Sequence, residues 1–419
     1  RELEKRIRTQ RNKPVVQHGL SLMITERARR TGKAGIDWSK RNNEVLDNST
    51  KQKESLYEKK DNKVKDALFS KFIPEDANEK YGQYMKEAPE DIDKLMKGQE
   101  GEWLAIMHAD GNNLGKIIQA MMTELETAEE DEPKEQVDKL REGLCERLAD
   151  FSIRVDKATR KTARIVTSKI ILEKFEKNSN SQDQLPFRPV ILGGDDITII
   201  IRGDLAFDFT REYLKEFEKQ TKEYFKDFGI EKLEKGLTAC AGIAYVKPHY
   251  PFHYALHLSE KLCGVSKEIS KGMVKDEENP KSCLMFHRVH SSFIDDYSNI
   301  KERELKAKSS GTRFDFGPYF MDKTAPDSYT TACQLKKWAI ISNQKDSPKS
   351  GLRNWLSDLQ VNSGRAEQRM KRIRTITPNY YDEELGLKNE IIERGEDKYT
   401  HIHDAITLAS ILKGEDYEQ

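Results

Sequence analysis

The sequence predicts an α+β protein: a ferredoxin-like antiparallel sheet with helices on one face, flanked by mainly helical N- and C-terminal regions. Three observations predict it. Short β-branched runs alternate with helix-period segments in the order strand, helices, hairpin, helix, strand, helix, strand. Two of those runs flank Gly193-Gly194-Asp195-Asp196, whose composition is that of a tight hairpin. Beyond Val289 the strand signals fade and helical periodicity takes over.

Residues 1–100 are polar; over 1–73 there are 19 Lys/Arg against 10 Asp/Glu, so a basic, partly flexible, helical or irregular region is expected. WLAIMHA (Trp103–Ala109) is an apolar run entering Asp-Gly-Asn-Asn, which reads as a buried strand followed by a loop. LGKIIQAMM suits a helix, and Glu124–Glu132 reads as an acidic break closed by Pro133. From Glu135 to about Lys177 apolar residues recur at three- and four-residue steps, predicting one or two long helices. Val190–Leu192 and Ile197–Ile201 are the hairpin strands, Leu205–Phe228 a helix, Leu237–Val246 a strand, Pro251–Ser270 a helix and Ser282–Val289 the last strand. Thr330–Ile341, Gly351–Leu359 and His401–Leu412 then predict a separate C-terminal helical domain. The expected domains are therefore 1–100, 101–290 and 291–419.

Composition narrows the function classes. Lys+Arg and Asp+Glu are both 72, so bulk electrostatics does not drive this chain onto nucleic acid or a membrane. No stretch approaches the roughly 18 apolar residues of a membrane span. The opening RELEKRIRTQ has no signal core, its first residue is not Met, and the expected location is cytoplasmic. Five cysteines at long spacings with no CxxC pair argue against a disulfide framework or zinc knuckle.

The informative residues are carboxylates. A ferredoxin-like order makes the first strand and the hairpin neighbours, so Asp110 should meet Asp195 and Asp196 despite the 85 positions between Asp110 and Asp195. Three such acids repel unless a cation neutralises them, and hard oxygen ligands select Mg²⁺ or Mn²⁺. A two-metal site of this kind binds a triphosphate and activates a hydroxyl. Gly193 and Gly194 allow positive φ and close approach of a nucleotide, although Gly and Asp are also ordinary turn residues.

HADGNNLGKII (His108–Ile118), ILGGDDITI (Ile191–Ile199) and AGIAYVKPHYPFHYALHLSEKL (Ala241–Leu262) together resemble the palm of the CRISPR polymerase family, the large subunit of type III CRISPR effector complexes, and more distantly GGDEF diguanylate cyclases. RFDFGPYFM (Arg313–Met321) is similar to that family's C-terminal part. The resemblance implies a nucleotidyltransferase that makes a cyclic oligoadenylate messenger from ATP, with Asp110, Asp195 and Asp196 catalytic and metal-bound and the Gly111 carbonyl a further ligand. It also implies phosphate or nucleotide contacts from Lys267, Lys116, Asn112 and Asn113. For the lysines a solvated helix face, and for the asparagines a helix cap, explain the residues equally. One palm holds one nucleotide well, so a homodimer or a second palm partner is expected, with RNA or a defence complex as further partners.

His249, His253 and His257 recur at four-residue steps, but amphipathic packing explains the spacing better than a metal does. The run RAEQRMKRIR (Arg365–Arg374) reads first as a solvated helix face. Two other functions stay open: a silent palm serving as nucleotide sensor or scaffold, and a templated polymerase, which would need a long positive channel.

Overall fold

The computed structural model describes residues 26–29, 31–40, 43–58, 67–74, 89, 95, 103–131, 134–178, 184–274, 279–290, 296–322, 328–378 and 389–412. The chain divides into two compact units, 1–67 and 68–419. In the first, strands β1 (Asp37–Ser39) and β2 (Glu44–Leu46) form an antiparallel hairpin followed by helix α1 (Asn48–Glu58). Asn43, at φ 51°, occupies the turn, as a short polar side chain can.

The second unit starts with a short turn of helix and then builds one six-stranded sheet. Its elements are β3 (Leu104–Gly111), α2 (Leu114–Asp131), α3 (Lys134–Val166), a π-helical turn at Thr167–Leu172, α4 (Glu173–Asn178), β4 (Phe187–Gly193), β5 (Asp196–Arg202), α5 (Gly203–Phe225) and α6 (Glu231–Glu234). They continue with β6 (Ala239–Val246), α7 (Phe252–Gly272), β7 (Cys283–Arg288), α8 (Tyr297–Arg303), β8 (Tyr319–Phe320), α9 (Ala332–Asn343), α10 (Lys349–Val361), α11 (Ser363–Ile376), a small hairpin β9 (Ile392–Arg394) and β10 (Asp397–Tyr399), and α12 (Ile402–Ile411).

The sheet order is β4-β5-β3-β6-β7-β8. Its first four strands are all antiparallel and carry the expected ferredoxin-like arrangement. β7 then joins β6 in parallel through the crossover helix α7, so the whole sheet is mixed.

Helices cover both faces, which corrects the expectation of one. Ala105, Met107, Ile199, Ile201, Ile243 and Tyr245 share a core with Phe151, Val155, Phe207 and Leu214 of α3 and α5. Their strand neighbours Leu104, Ile106, Ile200 and Val246 pack with Ala255 of α7. The reason is visible in β6: every residue of ACAGIAYV is buried, the near-continuous apolar run of a strand sealed on two sides. Gly242 permits this closeness, because a Cβ there would lie 2.1 Å from the Ser259 carbonyl oxygen of α7.

Two further expectations change. The acidic stretch after Thr123 is not a break, since α2 runs to Asp131; Glu and Ala are strong helix formers. Residues after 290 belong to the same compact unit as the sheet. Phe286 stacks on Tyr319 with ring centroids 6.1 Å apart, and the Tyr319 hydroxyl donates to Asp404 of α12 at 2.6 Å. At the other end of the unit, Phe69 and Phe72 pack on Phe187.

Candidate metal centre

The carboxylates are assembled by strand register. β3 and β5 pair Ala109 with Ile197, so one step further along the strands sets Asp110 opposite Asp196 on the face covered by α7. Asp110 therefore lies within β3, near its end, rather than just past it. Asp195 is the second residue of the two-residue loop between Gly193 and its ladder partner Asp196. Gly194, the first loop residue, has φ 63°, which explains that glycine; a Cβ at Gly193 would meet nothing within 4 Å.

One oxygen from each of Asp110, Asp195 and Asp196 lies within 4.8 Å of the others, and this is the one cluster of potential metal ligands among the described residues. Gly111 makes that possible: a Cβ there would stand 2.8 Å from Asp195 Oδ2 and 2.9 Å from its Cβ. Lys267 of α7 donates to the Asp110 carboxylate, and its Nζ lies 2.7 Å from the Gly111 carbonyl oxygen.

The charges answer one another. Burial works against ionising Asp110, but the Lys267 ammonium outweighs it and holds the carboxyl below the usual carboxylate range. Burial, and then the charge of Asp110, pushes Asp195 up to about 6. Burial and Asp110 push Asp196 up to about 7. Three oxygen donors that resist simultaneous ionisation fit a hard divalent cation, whose charge removes that resistance. Asp110, Asp195, Asp196 and the Gly111 carbonyl would hold it.

The other sequence-predicted residues fall in different places. Asn112 is buried: its amide N–H donates to the Thr238 carbonyl at 2.8 Å and its Nδ2 to Thr238 Oγ1 at 3.0 Å, which ties the Asp110 loop to the start of β6. Asn113, at φ 62°, immediately precedes α2, its carbonyl accepting from the Ile117 N–H. Lys116 is exposed on the first turn of α2. His249, His253 and His257 are exposed and form no ligand cluster among the described residues.

Two residues that sequence reasoning missed hold the hairpin from behind. Thr159 of α3 donates to the Gly194 carbonyl at 2.6 Å, and Lys71 donates to the Leu192 carbonyl at 2.8 Å. They stand 35 and 121 positions from their partners, and no local pattern marks either.

Residues 103–275 match the second palm domain of Cas10/Cmr2. Among solved structures, the chain is similar to a Csm1–Csm4 cassette in complex with pppApApA, at 14% identity and TM-score 0.43 over 77% of this chain and 38% of that one. It is likewise similar to the cassette in complex with cA4, at 14% identity, TM-score 0.41 and coverage of 77% of this chain and 38% of that one. Csm1 in T. onnurineus is a third, at 14% identity, TM-score 0.39 and coverage of 77% and 38%. The chain thus spans under two fifths of the length of these chains. No curated protein matches it. With that match over β3 to α7 and the Asp110–Asp195–Asp196 cluster on a ferredoxin-like sheet, residues 103–275 of the chain form a Cas10-like palm domain.

Proposed function

We propose that the chain is a metal-dependent nucleotidyltransferase that joins ATP into a cyclic oligonucleotide messenger in type III CRISPR defence. The observation that carries this reading is the convergence of Asp110, Asp195 and Asp196 within 4.8 Å on a domain of the Cas10/Cmr2 second-palm type. In each step a ribose hydroxyl oxygen bonds to the α-phosphorus of the next nucleotide, the α–β phosphoanhydride breaks, and pyrophosphate leaves. Mg²⁺ or Mn²⁺ in the site would supply neutralisation of the triphosphate and acidification of the hydroxyl.

The chain's own residues have separate tasks. Asp110, Asp195 and the Gly111 carbonyl bind the cations and Asp196 assists. Lys267, which occupies the Asp110 and Gly111 oxygens with its own positive charge, becomes available to the triphosphate once a divalent ion takes those oxygens. Exposed Gly193 leaves the hairpin backbone open to a nucleotide.

A ring also needs an acceptor nucleotide beside the donor. The matched domain is a second palm, so the acceptor pocket belongs to another palm, in a second copy of this chain or in a partner subunit. The test is incubation of the purified chain with ATP and Mn²⁺ or Mg²⁺. A phosphatase-resistant oligonucleotide and pyrophosphate are expected, and Asp195→Ala with Asp196→Ala should abolish both. An unchanged product from that double variant would sink the mechanism. Specific activity across a dilution series reports the partner palm: it should fall as self-association is lost, or require an added subunit.

A further inference from the structure

One strand repeat inward from the carboxylates, the α7 face of the sheet carries a polar row that the cation ligands do not account for. The register that sets Asp110 beside Cys240 sets His108, two residues earlier and about 7 Å along the strand, between Thr198 of β5 and Gly242 of β6. Ile191 of β4 continues the row beyond Thr198. The His108 Nδ1 lies 3.0 Å from Thr198 Oγ1, while its Nε2 has no partner among the described residues. Thr198 is buried, His108 is half-buried and Ile191 is 47% exposed.

The row is bounded. Its far side is closed, because the next residues on this face, Ile106 and Ile200, are buried in one apolar cluster with Ala255, against which Tyr250, Phe252 and Leu256 pack. Its near side is the pair Asp110 and Asp196. Along one flank stands α7, seated on Gly242; the charges of Glu260 and Lys267 are felt at the imidazole, and between them a Cβ at Gly264 would meet nothing within 4 Å. Space, an apolar rim at Ile191 and one aromatic nitrogen without a protein partner thus lie together beside the metal ligands.

We propose that His108, oriented by Thr198, selects ribonucleotides by donating a hydrogen bond from Nε2 to the 2′-hydroxyl of the nucleotide whose α-phosphate lies at the metal site. This rests on the nucleotidyltransferase reading and names its sugar specificity. Lys267 meets the Gly111 carbonyl at the end of β3, so the β- and γ-phosphates are drawn that way and the nucleoside extends the other way, over His108. The sugar hangs from the α-phosphate through O5′ and C5′, a reach of about one strand repeat. The base, one ring further out, meets the apolar rim at Ile191. Nε2 carries a proton in the neutral ring, with the Thr198 hydroxyl donating to Nδ1, and in the charged ring, with that hydroxyl accepting, so the role needs no titration. A site built to bond a hydroxyl rejects the analogue that lacks it, whose binding leaves a polar group unpaired.

Calorimetry on the full chain with Mn²⁺ tests it, comparing α,β-methylene-ATP, which cannot release pyrophosphate, with its 2′-deoxy counterpart. The parent should favour the ribose form roughly tenfold. His108→Leu should bring that ratio to about one, weakening the ribose form and leaving the deoxy form as it was. His108→Gln, whose amide nitrogen reaches about as far as Nε2, should keep most of the preference, and Thr198→Val should reduce it in part. A parent that binds both analogues equally, a ratio unchanged in His108→Leu, or an equal loss of both analogues in all three variants, the mark of a structural role, would overturn the proposal and leave nucleotidyl transfer standing. Failure of the parent to bind either analogue would overturn both.

Discussion

At the residue scale the site is an argument between four charges. Asp195 and Asp196 hold protons that an ordinary carboxylate, at 3.8, has lost. Between about pH 4 and 7 the folded chain therefore binds more protons through these two groups than the unfolded chain, and their contribution to stability falls as pH rises. Asp110 has the opposite sign: its contribution is present above its ordinary 3.8 and is lost on acidification below it. In chelator the melting temperature should accordingly fall from pH 5.5 to 8, and Asp195→Asn with Asp196→Asn should flatten that slope. Added Mn²⁺ should raise the melting temperature more at pH 8 than at pH 5.5, because protons and the cation compete for the same oxygens. A second expectation concerns Gly111→Ala. Its Cβ must displace Asp195, so Mn²⁺ affinity measured by calorimetry should weaken at least roughly tenfold. The three acids were legible in the sequence because a strand-end Asp and a GGDD hairpin become neighbours in one element order. The ammonium of Lys267 on the Asp110 carboxylate was not, since helix periodicity fixes a face and not the atom that a long side chain reaches.

At the element scale, two packings decide how the hairpin and its covering helix stand. α3 holds the loop from behind through the Thr159 hydroxyl on the Gly194 carbonyl. Thr159→Val should cost about 1 kcal/mol in denaturant unfolding. It should also lower kcat roughly tenfold with little change in KM, because the loop carrying Asp195 drifts. Rescue by Thr159→Ser would separate loss of the hydrogen bond from loss of packing. On the other face α7 lies against β6 at Gly242, and a Cβ there meets backbone: the Ser259 oxygen at 2.1 Å and the Cys263 nitrogen at 2.6 Å. Gly242→Ala should destabilise by about 3 kcal/mol, read from the denaturant midpoint. Strands β3 to β7 were readable because their apolar runs are short and bounded. The helix cover on both faces was missed although β6 spells it out, since a run without alternation says only that no side is wet. The two-residue β8 lacks any period to read, and the acidic half of α2 shows helix propensity overriding a charge run.

At the scale of the whole molecule, residues 68–419 form one compact unit, so palm and C-terminal helices share a fate. Lys336 of α9 donates to buried Asp208 of α5 at 2.5 Å, and Phe286 of β7 needs Tyr319 beside it. A chain ended after residue 290 would expose that apolar seam, and it should be recovered aggregated or without a cooperative melting transition. The intact unit should show a single transition by both circular dichroism and calorimetry.

The position of β6 sets a clock for the molecule. It is hydrogen-bonded on both edges, to β3 and β7, and sealed on both faces, whereas β4 is an edge strand paired only with β5. Amide hydrogens of β6 should exchange with solvent last, at a rate governed by global unfolding, and those of β4 first among the long strands. Asp195 sits in the loop that joins this early-opening edge to β5, while Asp110 and Asp196 sit on the interior strands β3 and β5. Opening of that edge should therefore release Asp195 while the strands that carry the other two carboxylates stay paired.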